Sequence, residues 1–488
     1  MSAELLLLAT LAAALLRAVA AATITRPPGL RDFAQFLCAG AQAAAAIALL
    51  NATAKGANAT IVLASPLPDL QIALSTEPLG VAIAASIATL GLAHALHTAG
   101  YLRAVRAPAP ARMQAFIALS MLAATGAAFS ANLLTLFVFY QALTLTSLPL
   151  VAHTGEAEAR AASRLYFALL LAAAIGLLLP AIIWTHAITG DLTFRIGGLL
   201  SGKVSPLVAN ILLALFVFGF AKAAVPPLHR WISEARQAPY PAFGAILGLT
   251  VVTTGGLGIL KTTLYVFGPA MEQARIASLA ILGLVCAAMV WAALSALGKQ
   301  DIRARLAYLM IAQSAAVTAG AMIGTREGAI AAVLQLLAQS FGALTLIMAF
   351  AAVHAATGRV QTSEMEGLGR LMPWTFAGAA IGAASLIGLP PLAGAWPKLW
   401  LMTATAEADL VWAGALAAVA SIAAFASLAP LIANAGVAPA PIGAFIRPDG
   451  ASILLVAPVI LAAAATLALV AFVDALARFL APIWGLQL

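Results

Sequence analysis

Long apolar runs separated by short polar loops make up almost the whole chain. A run of about 20 apolar residues is long enough to cross the hydrocarbon core of a bilayer as a helix. The pattern therefore predicts an all-α polytopic membrane protein with about fourteen transmembrane helices. Their predicted cores are residues 4–22, 33–50, 78–99, 113–129, 131–152, 162–187, 207–231, 240–266, 274–297, 306–324, 328–353, 374–405, 410–432 and 452–480.

Basic residues in the loops provide a test of this count. Odd-numbered loops and the adjoining helix ends carry fifteen arginines and lysines, whereas even-numbered loops carry five. Under the positive-inside rule the odd loops face the cytoplasm, so both termini are predicted on the outer side of the inner membrane. The odd set is Arg26, Arg31, Arg103, Arg106, Arg112, Arg160, Arg164, Arg230, Arg236, Lys299, Arg303, Arg305, Arg359, Arg370 and Arg447. The even set is Lys55, Arg195, Lys203, Arg275 and Arg326.

Composition agrees with this class and excludes others. Of the 488 residues 63% are hydrophobic and 9% are charged, and the mean hydropathy is +1.04. The net charge of +8 comes from basic residues scattered singly or in pairs. This scatter favours lipid headgroups over nucleic acid as the partner. Cys38 and Cys286 both lie in apolar runs, so we expect neither a disulfide framework nor a metal site. No motif predicts a catalytic residue or a bound cofactor.

Two apolar runs are each interrupted by a doubled proline and carry a lysine close to the interruption. Proline has no backbone N–H, so the carbonyls four residues earlier lose their helical partners. In lipid, such carbonyls and an ammonium group are tolerated only where they face protein or a wet cavity. The interrupted runs contain Lys222, Pro226 and Pro227, and Pro390, Pro391 and Lys398. The affected carbonyls are those of Lys222, Ala223, Leu386 and Ile387.

The two broken helices are the seventh and the twelfth, five helices apart. Helices four to eight and nine to thirteen then form two five-helix units that enter the membrane from opposite sides, because five is odd. Such inverted repeats with matching broken helices indicate a transport site; the alternative is that the prolines only kink their helices. The predicted domains are an N-terminal three-helix segment 1–112, the repeats 113–270 and 271–435, and a C-terminal helix 436–488.

Three segments resemble one known family. FAKAAVPPLHRWISEARQAPYPA, GKQDIRARLAYLMIAQ and GLPPLAGAWPKLW are similar, in this order, to signatures of helices seven, ten and twelve of antiporter-like subunits. These subunits occur in respiratory complex I, Mrp-type cation/proton antiporters and energy-converting membrane hydrogenases. The resemblance implies a subunit that couples oxidoreduction or cation exchange in partner subunits to proton translocation. Its expected partners are other membrane subunits, the lipid bilayer and protons, with Na⁺ as a second candidate ion.

The resemblance also implies a row of ionisable residues at mid-membrane depth. Lys222 and Lys398 match the lysines of helices seven and twelve. Gln141 stands where the family usually has a glutamate, and Thr253 or Thr254 where it has a lysine. Gln335 and Gln339 stand where the family tends to have histidine and lysine. The predicted proton path is Lys222, Lys398, Gln141, Thr253, Gln339 and His229.

Neutral residues at these positions leave two interpretations open. A lysine relay normally depends on a nearby carboxylate that pairs with the lysine and releases it. Gln141 can donate or accept a hydrogen bond but cannot alternate in charge. Hydroxyls and amides can still order water along a path through Thr253 and Gln339 to Lys398. The chain is therefore either a proton-conducting subunit or a structural spacer of the same kind of complex, with a stand-alone secondary transporter as a further alternative.

Other polar residues are expected at the membrane surfaces. His94, His97, Tyr101 and Arg103 lie near the cytoplasmic end of the third helix and are predicted to be interfacial. Lys261 lies near the outer end of the eighth helix and is predicted to extend its ammonium group to the headgroups.

Overall fold

The computed structural model describes residues 2–67, 70–439 and 452–484, and fourteen helical segments run through them. This confirms the predicted fold class. Eleven of the segments are long and apolar enough to cross a membrane, and the other three are α4 and the two broken segments, α7 and α12. The segments are α1 Ala3–Thr23, α2 Pro28–Ala54, α3 Pro78–Ala104, α4 Pro110–Ala128, α5 Leu133–Val151, α6 Ala157–Thr189, α7a Pro206–Gly219, α7b Arg230–Glu234, α8 Tyr240–Met271, α9 Arg275–Leu297, α10 Ile302–Ile323, α11 Arg326–Thr357, α12a Pro373–Ile387, α12b Ala395–Glu407, α13 Val411–Val437 and α14 Ile453–Ile483.

A β-hairpin, which the sequence analysis did not predict, fills the second loop. Strand β1 Thr60–Leu67 pairs antiparallel with β2 Leu70–Ser75. Backbone hydrogen bonds then join this hairpin to the fourth loop, and the fourth loop to the sixth. Ser75 N donates to Phe129 O (2.7 Å), and Leu133 N donates to Leu192 O (3.0 Å). We call this side of the molecule the hairpin face.

Odd-numbered loops meet on the opposite side, which we call the basic face. Arg112 donates to the carbonyl of His153 (2.7 Å), and Arg303 donates to the carbonyl of Ala238 (3.2 Å). These alternate loops therefore lie on alternate faces, as expected if each intervening segment crosses the membrane once. Arg447 and part of the predicted C-terminal domain lie outside the described residues. Assignment of the basic face to the cytoplasm stays a prediction.

The centre of the bundle consists of α8, α10 and α11, with α3 beside them. Nearly all residues of the most apolar stretches of α8, α10 and α11 are buried, whereas α1, α2 and α6 turn more than half of theirs outward. A helix that is apolar all round is buried within a large membrane protein. α8 also contains two π-helical turns, Ala245–Leu249 and Thr262–Phe267. Polar groups carried by these central helices therefore lie inside the protein.

Capping side chains define several helix ends. Asn132 Oδ1 accepts from Thr135 N (2.8 Å) at the start of α5. Asp301 Oδ1 accepts from Ala304 N (2.9 Å) at the start of α10. A side-chain oxygen at this position accepts from one of the four amides that have no partner within the helix. Asp301 is thus a structural cap in a loop of the basic face.

Candidate functional site

The first break begins before its prolines. α7a ends at Gly219, and Lys222 lies in a single 3₁₀ turn, Ala221–Ala223. Ala224 follows in the left-handed region with a φ of 56°, and helix resumes only at Arg230. The predicted core 207–231 is therefore interrupted earlier than its prolines, at Gly219.

Side chains satisfy the backbone groups that the break leaves without helical partners. Trp231 Nε1 donates to Ala221 O (2.8 Å), and Ser314 Oγ donates to Ala223 O (2.5 Å). The backbone N–H of Lys222 donates to the hydroxyl of Tyr140 (3.1 Å). Irregular backbone at membrane depth requires such partners, because lipid supplies none. The break is consequently enclosed by protein on several sides.

The ammonium group of Lys222 is fully buried and is held by α5. Lys222 Nζ donates to Tyr140 O (2.9 Å) and Thr144 Oγ1 (2.7 Å), and it lies 3.2 Å from the centroid of the Tyr140 ring. Gln141, whose side-chain oxygen could accept from Lys222, does not accept from it. Gln141 Oε1 is buried without a hydrogen-bond partner in the described part of the chain. Tyr140 and Thr144 are one helical turn apart, whereas Gln141 is rotated by about 100° from Tyr140.

The second break places its lysine after the prolines, on α12b. α12a ends at Ile387, and Gly388 has a φ of 88°. Lys398 Nζ donates to Leu386 O (2.8 Å) and to Ile387 O. These are the two carbonyls that the proline pair was predicted to free. A cation at the C-terminal end of a helix is also favoured by the helix dipole.

The two breaks share a local form. Ala224 and Gly388 each stand two residues before the first proline, and both have a positive φ. The peptide bond between the paired prolines is cis in each break. The inverted relation of the two five-helix units stays a prediction.

Close packing of central helices links the two breaks. A Cβ atom on Gly255 of α8 would lie 2.1 Å from Ala223 N, so α8 touches the turn that carries Lys222. Thr253 Oγ1 of α8 is 3.1 Å from Ser340 Oγ of α11. A Cβ atom on Gly342 of α11 would lie 3.2 Å from Ser385 Oγ of α12a, directly before the carbonyls that hold Lys398. We call this series of contacts the central row.

The remaining predicted path residues differ in their surroundings. Gln339 is buried next to Ser340, and neither polar atom of its side chain has a hydrogen-bond partner among the described residues. Gln335 donates to Gln313 Oε1 (2.8 Å). His229 lies at the first break with its ring against Trp291, centroids 5.1 Å apart. The structure thus places Thr253 in the central row and directs His229 toward α9. Among the described residues, Gln339 has no polar contact with that row.

Neither lysine of the breaks belongs to an ion pair within the described residues. The four ion pairs there are Arg31–Asp32, Arg103–Asp32, Arg230–Glu234 and Lys261–Glu77. Backbone carbonyls and one hydroxyl therefore hold both ammonium groups. This arrangement differs from a lysine relay that is switched by a carboxylate.

A buried cluster at the hairpin face was missed by the sequence analysis. Lys261 is fully buried, and its Nζ lies 3.0 Å from Glu77 Oε1. It also donates to Ala128 O (2.9 Å) and Ser130 O (2.8 Å). Tyr265 donates to Glu77 Oε2 (2.6 Å). The prediction that Lys261 reaches the headgroups is wrong, because a carboxylate distant in sequence meets it inside the protein.

The predicted interfacial positions in α3 are only partly correct. Arg103 is half exposed and pairs with Asp32 (2.5 Å), as expected of an interfacial residue. His94, His97 and Tyr101 are 0%, 1% and 4% exposed, so their predicted interfacial position is wrong. They face α8 and α11, the most deeply buried helices of the bundle, and not the headgroups.

Comparisons with known proteins agree with the described fold. Residues 130–424 match a family model described as NADH:quinone oxidoreductase/Mrp antiporter, TM. The chain is 28% identical over 409 residues to NADH-quinone oxidoreductase subunit N of Desulforudis audaxviator, which covers 80% of each chain. It is 26% identical over 302 residues to NADH-quinone oxidoreductase subunit M of Mycobacterium tuberculosis. That match covers 57% of this chain and 54% of the relative, so it spans little more than half of the relative.

Solved structures share the fold over nearly the whole chain. The structure of the Mrp complex from Dietzia sp. has a chain with a TM-score of 0.85 and 22% identity, covering 99% of this chain and 97% of that one. Respiratory complex I from Thermus thermophilus has a chain with a TM-score of 0.81 and 21% identity, covering 97% of this chain and 98% of that one. At this identity the likeness concerns the fold alone.

Proposed function

Because this chain belongs to the NADH:quinone oxidoreductase/Mrp antiporter membrane family, we propose that it translocates protons as an antiporter-like subunit. In this proposal, partner subunits of a complex I-related or Mrp-type assembly perform the oxidoreduction or cation exchange. The chain itself contributes the membrane path. Protons are the proposed ion, with Na⁺ as the alternative for the same path.

One observation carries the proposal: each of two helix breaks holds a lysine ammonium group on acceptors from the protein, and the central row joins the breaks. Lys222 rests on Tyr140 and Thr144, and Lys398 rests on the end of α12a. Placing a lysine at membrane depth costs several kcal/mol on an isolated helix. Two such sites at matching breaks are therefore expected to serve transport.

The central row supplies neutral groups that can donate and accept in turn. A proton released at Lys222 would pass along the hydroxyls of Thr253 and Ser340, with water beside the amide of Gln339, toward Lys398. Hydroxyl groups act as donor and acceptor at once, so an ordered chain of them and water can conduct protons. The paired units 113–270 and 271–435 would each provide one half of this path.

Orientation follows from the basic face in the same proposal. Its arginines and lysines would face the cytoplasm, and the hairpin face and both termini would lie outside the inner membrane. The exposed apolar residues of the outer helices would face lipid and other membrane subunits of the complex.

A structural spacer is the second candidate, and one observation favours it. Gln141 stands where relatives of this type are expected to have a carboxylate, and neither lysine of the breaks has an acidic partner within the described residues. A lysine that is permanently held by carbonyls would keep one charge state. Such a subunit would seal and scaffold the membrane arm.

Proton pumping by the reconstituted complex distinguishes the two candidates. We expect Lys222→Ala and Lys398→Ala each to lower the number of protons pumped per turnover, with assembly retained. Lys203→Ala is the matched control, because Lys203 is exposed at the hairpin face. Gln141→Glu restores a carboxylate on α5 and is expected to change the pumping rate or its pH profile. Pumping equal to wild type in all three path variants would reject conduction and establish the spacer.

A further inference from the structure

An open apolar groove lies between α2, α3, α11 and α14, and we call it the α2–α14 groove. Its volume is about 460 Å³. All but three of its seventeen lining residues are apolar, and the exceptions are Asn51, Ser86 and Thr89. Ser86 Oγ donates to Ala82 O of its own helix (2.9 Å), so this hydroxyl is satisfied without a ligand. The lining therefore suits a hydrocarbon and not a polar solute.

The groove occupies the depth of one leaflet of the bilayer. α2 lines it with residues between 47 and 54, and α3 lines it with residues between 82 and 89. Both stretches lie toward the hairpin face and are about 10 Å long. α14 lines the groove between residues 465 and 479, a length of about 21 Å. Since half of the hydrocarbon core is about 15 Å thick, the groove extends from the hairpin face to about the middle of the membrane.

Toward the basic face the groove is closed, because α14 packs directly on α3 there. A Cβ atom on Gly100 of α3 would lie 2.8 Å from Leu454 O of α14. Near the inner end of the groove, Thr345 Oγ1 of α11 and Thr466 Oγ1 of α14 are 3.1 Å apart and share a hydrogen bond. A spanning helix of a partner subunit needs about 30 Å of contact, which is twice the depth of one leaflet. A groove that ends at mid-membrane fits an acyl chain better than a helix.

Basic residues stand beside the hairpin-face end of the groove. Lys55 directly follows the lining residue Ala54, and Arg478 directly precedes the lining residue Phe479. Lys55 and Arg478 are both exposed, as is Asp474 one turn before Arg478. The even-numbered loops carry only five basic residues, of which Lys55 is one. A net positive charge therefore lies at this mouth on a face that is poor in positive charge.

We propose that the α2–α14 groove binds one acyl chain of an anionic phospholipid, whose phosphate is held by Lys55 and Arg478. Lysine and arginine both form charge-assisted hydrogen bonds with phosphate oxygens. In the proposed orientation this lipid belongs to the outer leaflet. It would fill the space between α2 and α14 and hold both helices against α3. The lipid site does not depend on conduction by the central row, so it applies to a spacer as well.

Filling the groove with a side chain tests the proposal. Ala468 is exposed and lines the groove, so Ala468→Phe occupies it without changing a buried position. Ala464→Phe is the matched control, because Ala464 is exposed one turn earlier on α14 and is not among the lining residues. Native mass spectrometry of the complex in detergent with added phosphatidylglycerol counts the bound lipids. We expect wild type and Ala464→Phe to retain one more phosphatidylglycerol molecule than Ala468→Phe.

A second comparison tests the headgroup contacts. Lys55→Ala combined with Arg478→Ala is expected to weaken phosphatidylglycerol retention several-fold. Lys203→Ala is the control, because Lys203 is exposed on the same face and its neighbours do not line the groove. Phosphatidylcholine, which has no net charge, is expected to bind wild type several-fold more weakly than phosphatidylglycerol. Equal retention of the two lipids would overturn the role of the basic residues.

Other outcomes would overturn the lipid site itself. Equal lipid counts in Ala468→Phe and Ala464→Phe would show that the groove binds no phospholipid. Loss of a partner subunit from Ala468→Phe at an unchanged lipid count would assign the groove to a partner helix instead. If Ala468→Phe does not assemble, the double variant decides, and retention equal to that of Lys203→Ala would overturn the proposal.

Discussion

Lys222 illustrates how a membrane protein can bury a lysine that has no carboxylate beside it among the described residues. A backbone carbonyl, a hydroxyl and the face of an aromatic ring surround its ammonium group. Hydrogen bonds to a charged group are stronger than neutral ones, and an aromatic face attracts a cation further. Three neutral partners thus replace the single charge that a glutamate would provide. The site is a cation cage built largely by Tyr140 and Thr144.

Removal of the Thr144 hydroxyl tests this cation cage. Thr144→Val keeps the side-chain shape but deletes the hydroxyl that accepts from Lys222. We expect a loss of about 1–3 kcal/mol in stability, seen as a lower melting temperature of the subunit in detergent, together with reduced pumping. Thr146→Val is the control, because Thr146 Oγ1 accepts from the Ser120 hydroxyl (3.2 Å) and not from Lys222. An equal effect of both variants would contradict the cage.

The sequence predicted a residue's contacts correctly where local backbone chemistry determines them. It predicted them wrongly where packing between distant segments determines them. The carbonyls of Leu386 and Ile387 could be predicted, because proline removes their donors whatever the surroundings. The partner of Lys261 could not, since Tyr265 of the same cluster meets Glu77 from 188 residues away. The contact between Gln141 and Lys222 could not be decided from sequence for a more local reason. A rotation of one residue on α5 takes its side chain off the face that Tyr140 and Thr144 share.

At the scale of elements, the second break depends on a close approach between backbone and side chain. A Cβ atom on Gly388 would lie 2.5 Å from Lys398 Cδ and 3.0 Å from Nζ. Glycine therefore has two tasks here: it adopts the positive φ that ends α12a, and it leaves room for the lysine to reach the last carbonyls. Ala224 occupies the corresponding position of the first break, where Lys222 points to α5 and needs no such room.

This difference leads to a prediction with a matched control. Gly388→Ala should displace the Lys398 ammonium group and lower pumping well below that of Gly358→Ala. Gly358 also ends a helix with a positive φ of 76°, but a Cβ atom there meets nothing within 4 Å. Both variants carry the same backbone strain, of about 1–2 kcal/mol. Only the contact with Lys398 separates them, so equal pumping in the two would refute a role for that contact.

The helices could be predicted where the length of an apolar run determines them. Twenty apolar residues in lipid leave few options besides a helix, and the fourteen predicted cores fall on the fourteen segments. The β-hairpin was missed because residues 60–75 join two apolar runs and were treated as a loop. The early end of α7a was missed as well. Ala221 is a strong helix former, yet the chain turns at Lys222 because Tyr140, Ser314 and Trp231 bind the backbone there.

At the scale of the whole molecule, the two faces differ in charge and in architecture. The odd loops carry most of the arginines and lysines. On the other face, the hairpin is joined to the fourth loop and, through it, to the sixth. Hydrogen bonds between alternate loops support the crossing count independently of charge, because loops on opposite sides of a membrane cannot meet. The direction of insertion remains to be tested.

Cysteine labelling in intact cells tests that direction. In a background with Cys38→Ala and Cys286→Ala, Arg103→Cys and Lys299→Cys should react with an impermeant maleimide only from the cytoplasm. Lys203→Cys should react only from outside. Labelling of Arg103→Cys and Lys203→Cys from the same side would break the crossing count. Labelling of all three with the sides exchanged would reverse the orientation and leave the fold intact.

The Glu77–Lys261 pair has a mechanical consequence for the bundle. The pair fixes the start of α3 to α8 at the hairpin face. Lys261 also donates to the carbonyls of Ala128 and Ser130, which fixes α8 to the end of α4. Breaking a buried pair of this kind costs about 3–5 kcal/mol. At the basic face, α3 and α11 meet through the hydrogen bond between the Tyr101 hydroxyl and His354 Nδ1 (3.0 Å), and such a bond contributes about 1 kcal/mol. Tilting of these helices would therefore use the hairpin face as a fulcrum, and the basic-face ends would travel furthest.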